Sequence, residues 1–372
     1  MPRNRTIYNN EALLAGPSPA TSAHDTGNIK RLHRIQSVGG SFDLSLEDIN
    51  EYGKLAAIDR KNIDGISAPL EFSYLLTDFE NEVNLGFNID STSSALSFFL
   101  DGSQEDRNYF RAFADEGLDA EGQSAADVAV MGVGNGYLSS YSIEAAVGSF
   151  PSVSVSVEGL NAASYLDGVS QDIPAVDPLT GRKAAGSFTL PSIPSSSAGK
   201  PSAIRPGDLR VIFSNTVAGA FQDLTESEIN IQNFSMNFDL NLEAINSISS
   251  RLPVSREITY PLEVNVSIES LLADLQPTNL VDLLCTDQPT DITVNFYNDN
   301  CDADGPALDE IYAQIVIKNA KLTSQDLSGS IGPNHTASFE FTSQMGAAND
   351  TVNGVFMSGV VGYSGVTPTF SS

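Results

Sequence analysis

The sequence predicts a mainly β protein: two tandem antiparallel β-sandwich or barrel domains of one type, with one or two short helices. Three observations carry that expectation: an internal repeat of domain size, two-residue alternation of apolar and polar side chains in nearly every apolar segment, and very few stretches with helical periodicity. Ile35 to Arg60 lies on Ile231 to Arg256 without a gap. Ile35, Gln36, Phe42, Asp43, Leu44, Leu46, Glu47, Ile49, Asn50 and Arg60 find identical partners, ten in 26 positions, where ordinary composition supplies about one or two. Pro69-Leu70-Glu71 recurs as Pro261-Leu262-Glu263 after a loop four residues shorter, and Arg5-Thr6-Ile7-Tyr8-Asn9-Asn10 resembles Arg210-Val211-Ile212-Phe213-Ser214-Asn215.

A repeat of this length is a domain and not a solenoid unit, so each copy is expected to have its own core. A chain of 372 residues with 41% hydrophobic content is large enough for two. The expected division is 1–184 for the first domain with an N-terminal arm, 185–206 for a linker or exposed insertion, and 207–372 for the second domain. The middle segment is rich in Ser, Pro and Gly and is expected to bury little.

The elements follow in order. Val38, Gly40, Phe42, Leu44 and Leu46 alternate with Ser37, Gly39, Ser41, Asp43 and Ser45, which predicts a long strand with one buried and one wet face. Glu47 to Lys54 carries Ile49 and Tyr52 three apart before Gly53 and reads as a short helix or turn. Leu70, Phe72, Tyr74 and Leu76 form the next strand, and polar, acidic Ser103 to Glu116 the most plausible helix of the first copy. Gly132-Val133-Gly134-Asn135-Gly136 lacks dinucleotide-loop spacing and reads as a glycine turn before a strand at Tyr137. Val153, Val155 and Val157 alternate with serines.

In the second copy Phe234, Met236, Phe238, Leu240 and Leu242 alternate with Asn233, Ser235, Asn237, Asp239 and Asn241. Leu262, Val264, Val266 and Ile268 follow, then a helix over Ile268 to Leu275, and a late strand with Ala337, Phe339 and Phe341 inward. Alternation in so many segments argues for antiparallel sheets with one solvated face.

The formal net charge is −28, and no Lys or Arg occurs between Arg111 and Arg182 or between Arg256 and Lys318. Such a chain repels polyanions, so sequence-specific nucleic-acid binding is not expected, although DNA could be surrounded without being held. Arg3, Arg5, Lys30, Arg31 and Arg34 cluster near the N-terminus, as an exposed arm or as a docking arm for an acidic neighbour. Neither a signal-peptide pattern nor an apolar run of spanning length is visible, which leads to the expectation of folding in a cytosol, without membrane attachment. In that compartment Cys285 and Cys301 are expected to be free thiols, the alternative being a bridge across a hairpin of sixteen residues, and the Asn-x-Ser/Thr matches at Asn233, Asn265, Asn334 and Asn349 are expected to be coincidental.

Chemistry-bearing motifs are weak. Asn300-Cys301-Asp302-Ala303-Asp304-Gly305 begins like a calcium loop, but Ile311 stands where a bidentate Glu is required, so a turn is the simpler reading. There is no Gly-x-Ser-x-Gly elbow, and the histidines His24, His33 and His335 are expected in surface or turn roles. The chain has no Trp to serve as a sugar-stacking platform. No catalytic residue, cofactor or metal site is therefore expected.

The segments IQSVGGSFDLSLEDINEYGKLAAIDR with APLEFSY, IQNFSMNFDLNLEAINSISSRLPVSREITYPLEV, and Ile315 to Ser343 resemble the major tail tube proteins of tailed bacteriophages. The resemblance implies a β-sandwich or barrel subunit of the virion tail, folded and assembled in the host cytoplasm. Such a subunit stacks in rings whose inner strands enclose the channel for DNA ejection. It also implies a chain that partners itself and other phage tail proteins, and lets DNA pass without specific binding. Six copies of the fold form a ring in this family, so a duplicated chain is expected as a trimeric, pseudo-hexameric ring. Ser37, Ser41, Asp43, Ser45, Asn233, Ser235, Asn237, Asp239 and Asn241 are the candidate lumen-facing residues: they carry no cation to retard phosphates. The competing reading makes them the solvent face of an ordinary sandwich. A terminator, baseplate or decoration protein, and more remotely a cell-surface adhesin, are the alternative functions.

Overall fold

The computed structural model describes residues 8–17, 28–62, 65–90, 92–102, 106–115, 117–194, 203–213, 231–248, 252–271, 289–297, 301–302, 305–306, 311–328 and 335–359. The first half contains β1 (Glu11–Gly16), β2 (Lys30–Arg31), β3 (Ile35–Gly40), β4 (Leu46–Ile49), β5 (Asp59–Asn62), β6 (Ala68–Leu75), α1 (Glu80–Leu85) and α2 (Ser97–Leu100). It continues with β7 (Asp106–Ala114), β8 (Val128–Ala146), β9 (Ser152–Gly159), β10 (Asn161–Tyr165) and the short β11 (Gln171–Asp172), β12 (Val176–Asp177), β13 (Arg182–Lys183) and β14 (Ser187–Phe188). The second half contains β15 (Leu209–Phe213), β16 (Ile231–Asp239), β17 (Leu242–Ile245), β18 (Ser255–Ile258), β19 (Glu263–Leu271) and β20 (Thr290–Tyr297). After these come β21 (Cys301–Asp302), β22 (Gly305–Pro306), β23 (Ile311–Ser328), β24 (Thr336–Gln344) and β25 (Gly354–Gly359). The protein is thus mainly β and antiparallel, as the alternation predicts.

Among the described residues fifteen strands join one sheet. In the first half the order is β1-β7-β8-β9-β6-β3, with β10 continuing β9 along β8. In the second it is β15-β20-β23-β24-β19-β16, with β25 continuing along β23. The registers repeat as well. Adding 196, the offset from Ile35 to Ile231, carries every β3–β6 pair onto a β16–β19 pair, bulge included. The same offset carries each rung of the β4–β5 hairpin onto β17–β18. An offset of 184, from Leu138 to Leu322, carries every β8–β9 pair onto β23–β24, again with the bulge in place. Asn135 and Asn319, also 184 apart, both adopt the left-handed backbone (φ 50° and 56°) that Asn tolerates better than most residues.

These registers correct two of the expected correspondences. Leu70 is equivalent to Val266 and not to Leu262, so no loop shortens before β19. Likewise β1 corresponds to β15 with Leu13 on Val211, which sets Arg210 on Ala12 and not on Arg5, itself outside the described residues.

The two layers of each half enclose the core through face-to-face contacts such as Phe72 against Tyr109 and Phe213 against Phe341. One buried cluster contains Leu70, Phe72 and Tyr109 together with Phe234, Met236 and Phe339, so apolar packing runs continuously through both halves. A second cluster covers the other side of β1, β7 and the start of β8, where Phe110 meets Phe188 and where Leu190 and Ile193 are buried. The Ser/Pro/Gly-rich segment therefore buries Phe188, Leu190, Ile193 and Ile204, contrary to its composition.

Three local expectations change. Ser103 to Glu116 holds strand β7: Tyr109 faces one cluster and Phe110 the other, so both faces are buried and alternation disappears. Glu47 to Lys54 begins within hairpin strand β4, and Ile268 to Leu271 belongs to β19, the rest of that stretch lying outside the described residues. The glycine run lies inside β8, because a Cβ on Gly134 would overlap the backbone of Pro174 and Ala175, while one on Gly136 would stand 2.7 Å from Tyr109.

Candidate functional site

The sheet has one continuous polar face. Its outward positions are Ser152, Ser154, Ser156 and Glu158 on β9, Ser140, Ser142 and Glu144 on β8, then Asn233, Ser235, Asn237 and Asp239 on β16. Glu263, Asn265, Ser267 and Glu269 on β19 and Ser338, Glu340 and Thr342 on β24 extend it. Cross-strand partners keep this composition: Asn237 stands between Ser142 and Asn265, and Ser235 between Glu144 and Ser267. Short side chains and carboxylates give a low, negative surface. Arg256 at its margin is engaged by Glu158 and lies 5.3 Å from the Tyr137 ring centre.

The two halves meet within this surface. Strand β16 pairs with the second half of β8 from Asn233 opposite Ala146 to Asp239 opposite Ser140. Two backbone bonds extend the pairing, Leu240 N to Ser139 O (2.8 Å) and Val147 N to Gln232 O (3.0 Å). Beneath the seam Phe238 stacks on Tyr141 at 5.4 Å and Phe87 approaches Tyr141 at 4.9 Å. Glu82 of α1 is buried there, its Oε1 accepting hydrogen bonds from the Tyr74 (2.7 Å) and Tyr141 (2.9 Å) hydroxyls. Burial raises its pKa to about 7, against the opposing effect of those hydrogen bonds.

Each half also offers an edge. Beyond β6, β3 has no strand partner among the described residues, and the segment Ser324–Ser328 of β23 pairs only with β24. The apolar residues there are uncovered: Phe42 is 45% exposed, Leu44 50% and Leu327 53%. Their counterparts at the seam are buried, Phe238 and Leu240 at 2% and Ile143 at 0%. The expectation that Phe42, Leu44 and Leu46 face a core is thus met in the second copy at Phe238 and Leu240, and not in the first.

Of the nine residues singled out from the sequence, Asn233, Ser235, Asn237 and Asp239 lie together on the polar face at the seam. Ser37, Ser41 and Asp43 continue the corresponding face at the open edge: Ser37 Oγ is 2.6 Å from Ser73 Oγ, and Ser41 donates to Asp43 (3.2 Å). Ser45 and Asn241 are exposed in the connections leading to β4 and β17. Glu144, Glu158, Ser140 and Ser142 complete the face but were not singled out, although the β9 serines had the alternation that marks them.

Among the described residues no three His, Cys, Asp or Glu side chains gather to hold a metal ion. No described helix is long and apolar enough to cross a membrane. His33 is buried, not on the surface as expected, with Nε2 3.7 Å from Glu80 and its backbone N–H donating to Asn81 (2.8 Å). His335 is exposed, whereas His24 and Cys285 fall outside the described residues, as do Asn300, Ala303 and Asp304 of the calcium-like segment.

No protein-family model matches the chain, and no curated protein matches it. Among solved structures it is similar to the tail tube of SPP1, with TM-score 0.30 and 12% identity over 43% of this chain and 78% of that one. It is also similar to a chain of the virion of a native gene transfer agent particle, with TM-score 0.22 and 14% identity over 41% of this chain and 96% of the other.

Proposed function

We propose that this chain is a non-enzymatic structural protein of a phage virion, a tandemly duplicated subunit that polymerises into the tail tube and forms the channel for DNA ejection. The observation that carries the reading is the polar face: Ser, Asn, Asp and Glu side chains line it from β9 through β8 and β16 to β19 without a break at the junction of the halves. Turned inward, such a face presents mainly hydroxyls, amides and carboxylates to a moving duplex, with Lys321 opposite Thr342 and Arg256 beside Glu158 toward its margins, and its carboxylates repel the phosphates. The apolar side of the same sheet is closed by the core, which leaves lateral strand edges for contacts between chains.

Two modules per chain fit a ring of three chains with pseudo-sixfold symmetry, stacked along the tail with other tail proteins at its ends. The lumen residues in this reading are Ser37, Ser41, Asp43, Ser45, Asn233, Ser235, Asn237, Asp239 and Asn241, joined by Ser142, Glu144, Ser156 and Glu158. Negative-stain microscopy of the concentrated, purified chain tests it: long hollow cylinders are expected. Single closed rings or monomers would favour a terminator, baseplate or decoration role. Replacing Asp43 and Asp239 with Lys should leave the cylinders intact and lower phage infectivity; undiminished infectivity would remove those positions from the lumen.

A further inference from the structure

The seam between the two halves is a template for the contact between chains. Under the offsets that superimpose the repeats, 196 for β16 on β3 and 184 for β23 on β8, the paired segment Asn233–Asp239 corresponds to Ser37–Asp43, and Ser140–Glu144 corresponds to Ser324–Ser328. In the chain, Asn233–Asp239 and Ser140–Glu144 pair with each other, whereas Ser37–Asp43 and Ser324–Ser328 have no strand on the equivalent side among the described residues. We infer that Gly39–Asp43 of one chain pairs antiparallel with Ser324–Ser328 of a second copy, Asp43 opposite Ser324, Ser41 opposite Asp326 and Gly39 opposite Ser328. This rests on the tube reading and adds to it the partner strand and its register.

Several observations bear on the identity of the occupant. The backbone edges match in direction and in bulge position, since the irregularity at Ser139 recurs at Thr323 and that at Gln36 recurs at Gln232. The apolar side chains left bare at the edges, Phe42, Leu44 and Leu327, sit where the seam places Phe238, Leu240 and Ile143, so a second copy covers from below what the first leaves uncovered. On the upper side, Ser41, Asp43, Ser324 and Asp326 continue the Ser/Asn/Asp surface of the seam, and the polar face passes from chain to chain without a step. The contact is heterologous, one end of a chain on the other end of the next, so it closes into a ring or winds into a helix according to the rotation it imposes.

The composition differs at the rungs. Met236 opposite Ile143 becomes Gly40 opposite Leu327, and Phe238 opposite Tyr141 becomes Phe42 opposite Gln325. The contact between chains therefore has less apolar packing than the seam, as suits a junction made after folding and not during it.

Cysteine pairing reads the register directly, since directly opposed residues of an antiparallel pair stand within disulfide reach. In the full chain carrying C285S and C301S, the pair Ser41→Cys with Asp326→Cys is expected to yield a ladder of covalent multimers under mild oxidation. Ser142→Cys with Asn237→Cys, the equivalent pair at the seam, should give an intrachain bond and no ladder. Ser41→Cys with Ser324→Cys, two residues out of register, should cross-link at least tenfold more slowly. Leu327→Lys should abolish the multimers while leaving the far-ultraviolet circular dichroism of the monomer unchanged. Assemblies visible by microscopy but not cross-linked at 41–326, or linked faster at 41–324, would overturn this register and leave the tube reading standing. A chain that stays monomeric at every concentration and forms no ladder would overturn both.

Discussion

Strands β3 and β16 present the same pattern of side chains and meet opposite fates. Both carry an apolar row that continues into Phe-Asp-Leu, both pair with the next long strand through a bulge at the second residue, and both lead to a hairpin of identical register. The row of β16 is buried because β8 lies beside it and Tyr141, Phe87 and α1 lie beneath it, whereas β3 has no strand neighbour beyond β6 among the described residues. The difference teaches that the same alternation can be covered in one copy of a repeat and left bare in the other.

The comparison can be broken most sharply at its aromatic pair. Phe238→Ala should cost about 3–5 kcal/mol of stability, as for a buried Phe, while Phe42→Ala should change the monomer by under about 1 kcal/mol and weaken assembly instead. Urea unfolding of both variants checks this, and equal losses in the monomer would mean that β3 is already packed.

A second contrast lies in the acid beneath the seam. Glu82 has its folded-state pKa raised to about 7, above its unfolded value. The folded state therefore holds the proton more tightly, and the stability it contributes is complete below the unfolded pKa and declines as pH rises through 7. The loss amounts to up to about 3 kcal/mol between pH 4.5 and 7. Melting temperatures of Glu82→Gln should lack this decline, since the amide carbonyl still accepts from Tyr74 and Tyr141. A slope that persists in the variant would assign it to other groups.

The smallest effect compares two equivalent arginines. Arg256 pairs with Glu158 over the Tyr137 ring with its side chain largely buried, whereas Arg60 pairs with Asp48 in the exposed β4–β5 hairpin. Arg256→Ala should cost about 1 kcal/mol and Arg60→Ala less than about 0.5 kcal/mol, the latter vanishing in high salt. Differential scanning calorimetry at two salt concentrations would detect a reversal of that order.

Much of this architecture was legible where one face of a strand is wet. The alternation at Leu70–Leu76, Val153–Val157 and Phe234–Leu242 predicts strands that exist, whereas the hairpins that end the Ile35–Arg60 repeat, with matching rungs in both copies, stand where the sequence predicts a short helix or turn. Strand β7 reads as a helix in the sequence because burial on both faces removes the two-residue period and leaves only its charged flanks visible. The β8 glycines read as a turn in the sequence because close approach of Pro174 and Tyr109, a tertiary fact, is what requires them. The Pro-Leu-Glu correspondence misled because three residues weigh little against a conserved hydrogen-bond register, which no single sequence displays. The candidate polar face was half legible for the same reason as the strands: β16 and β3 announce it by alternation, but Ser142 and Glu144 belong to it only through the pairing of β8 with β16.

A three-dimensional reconstruction of the assembled particle tests the central claim most directly. The account expects one kind of lateral junction throughout, with the contact between chains superimposing on the β8–β16 seam within each chain and with Asp43 and Asp239 facing an open lumen. Unlike junctions, or an inner wall formed by the opposite face of the sheet, would contradict it.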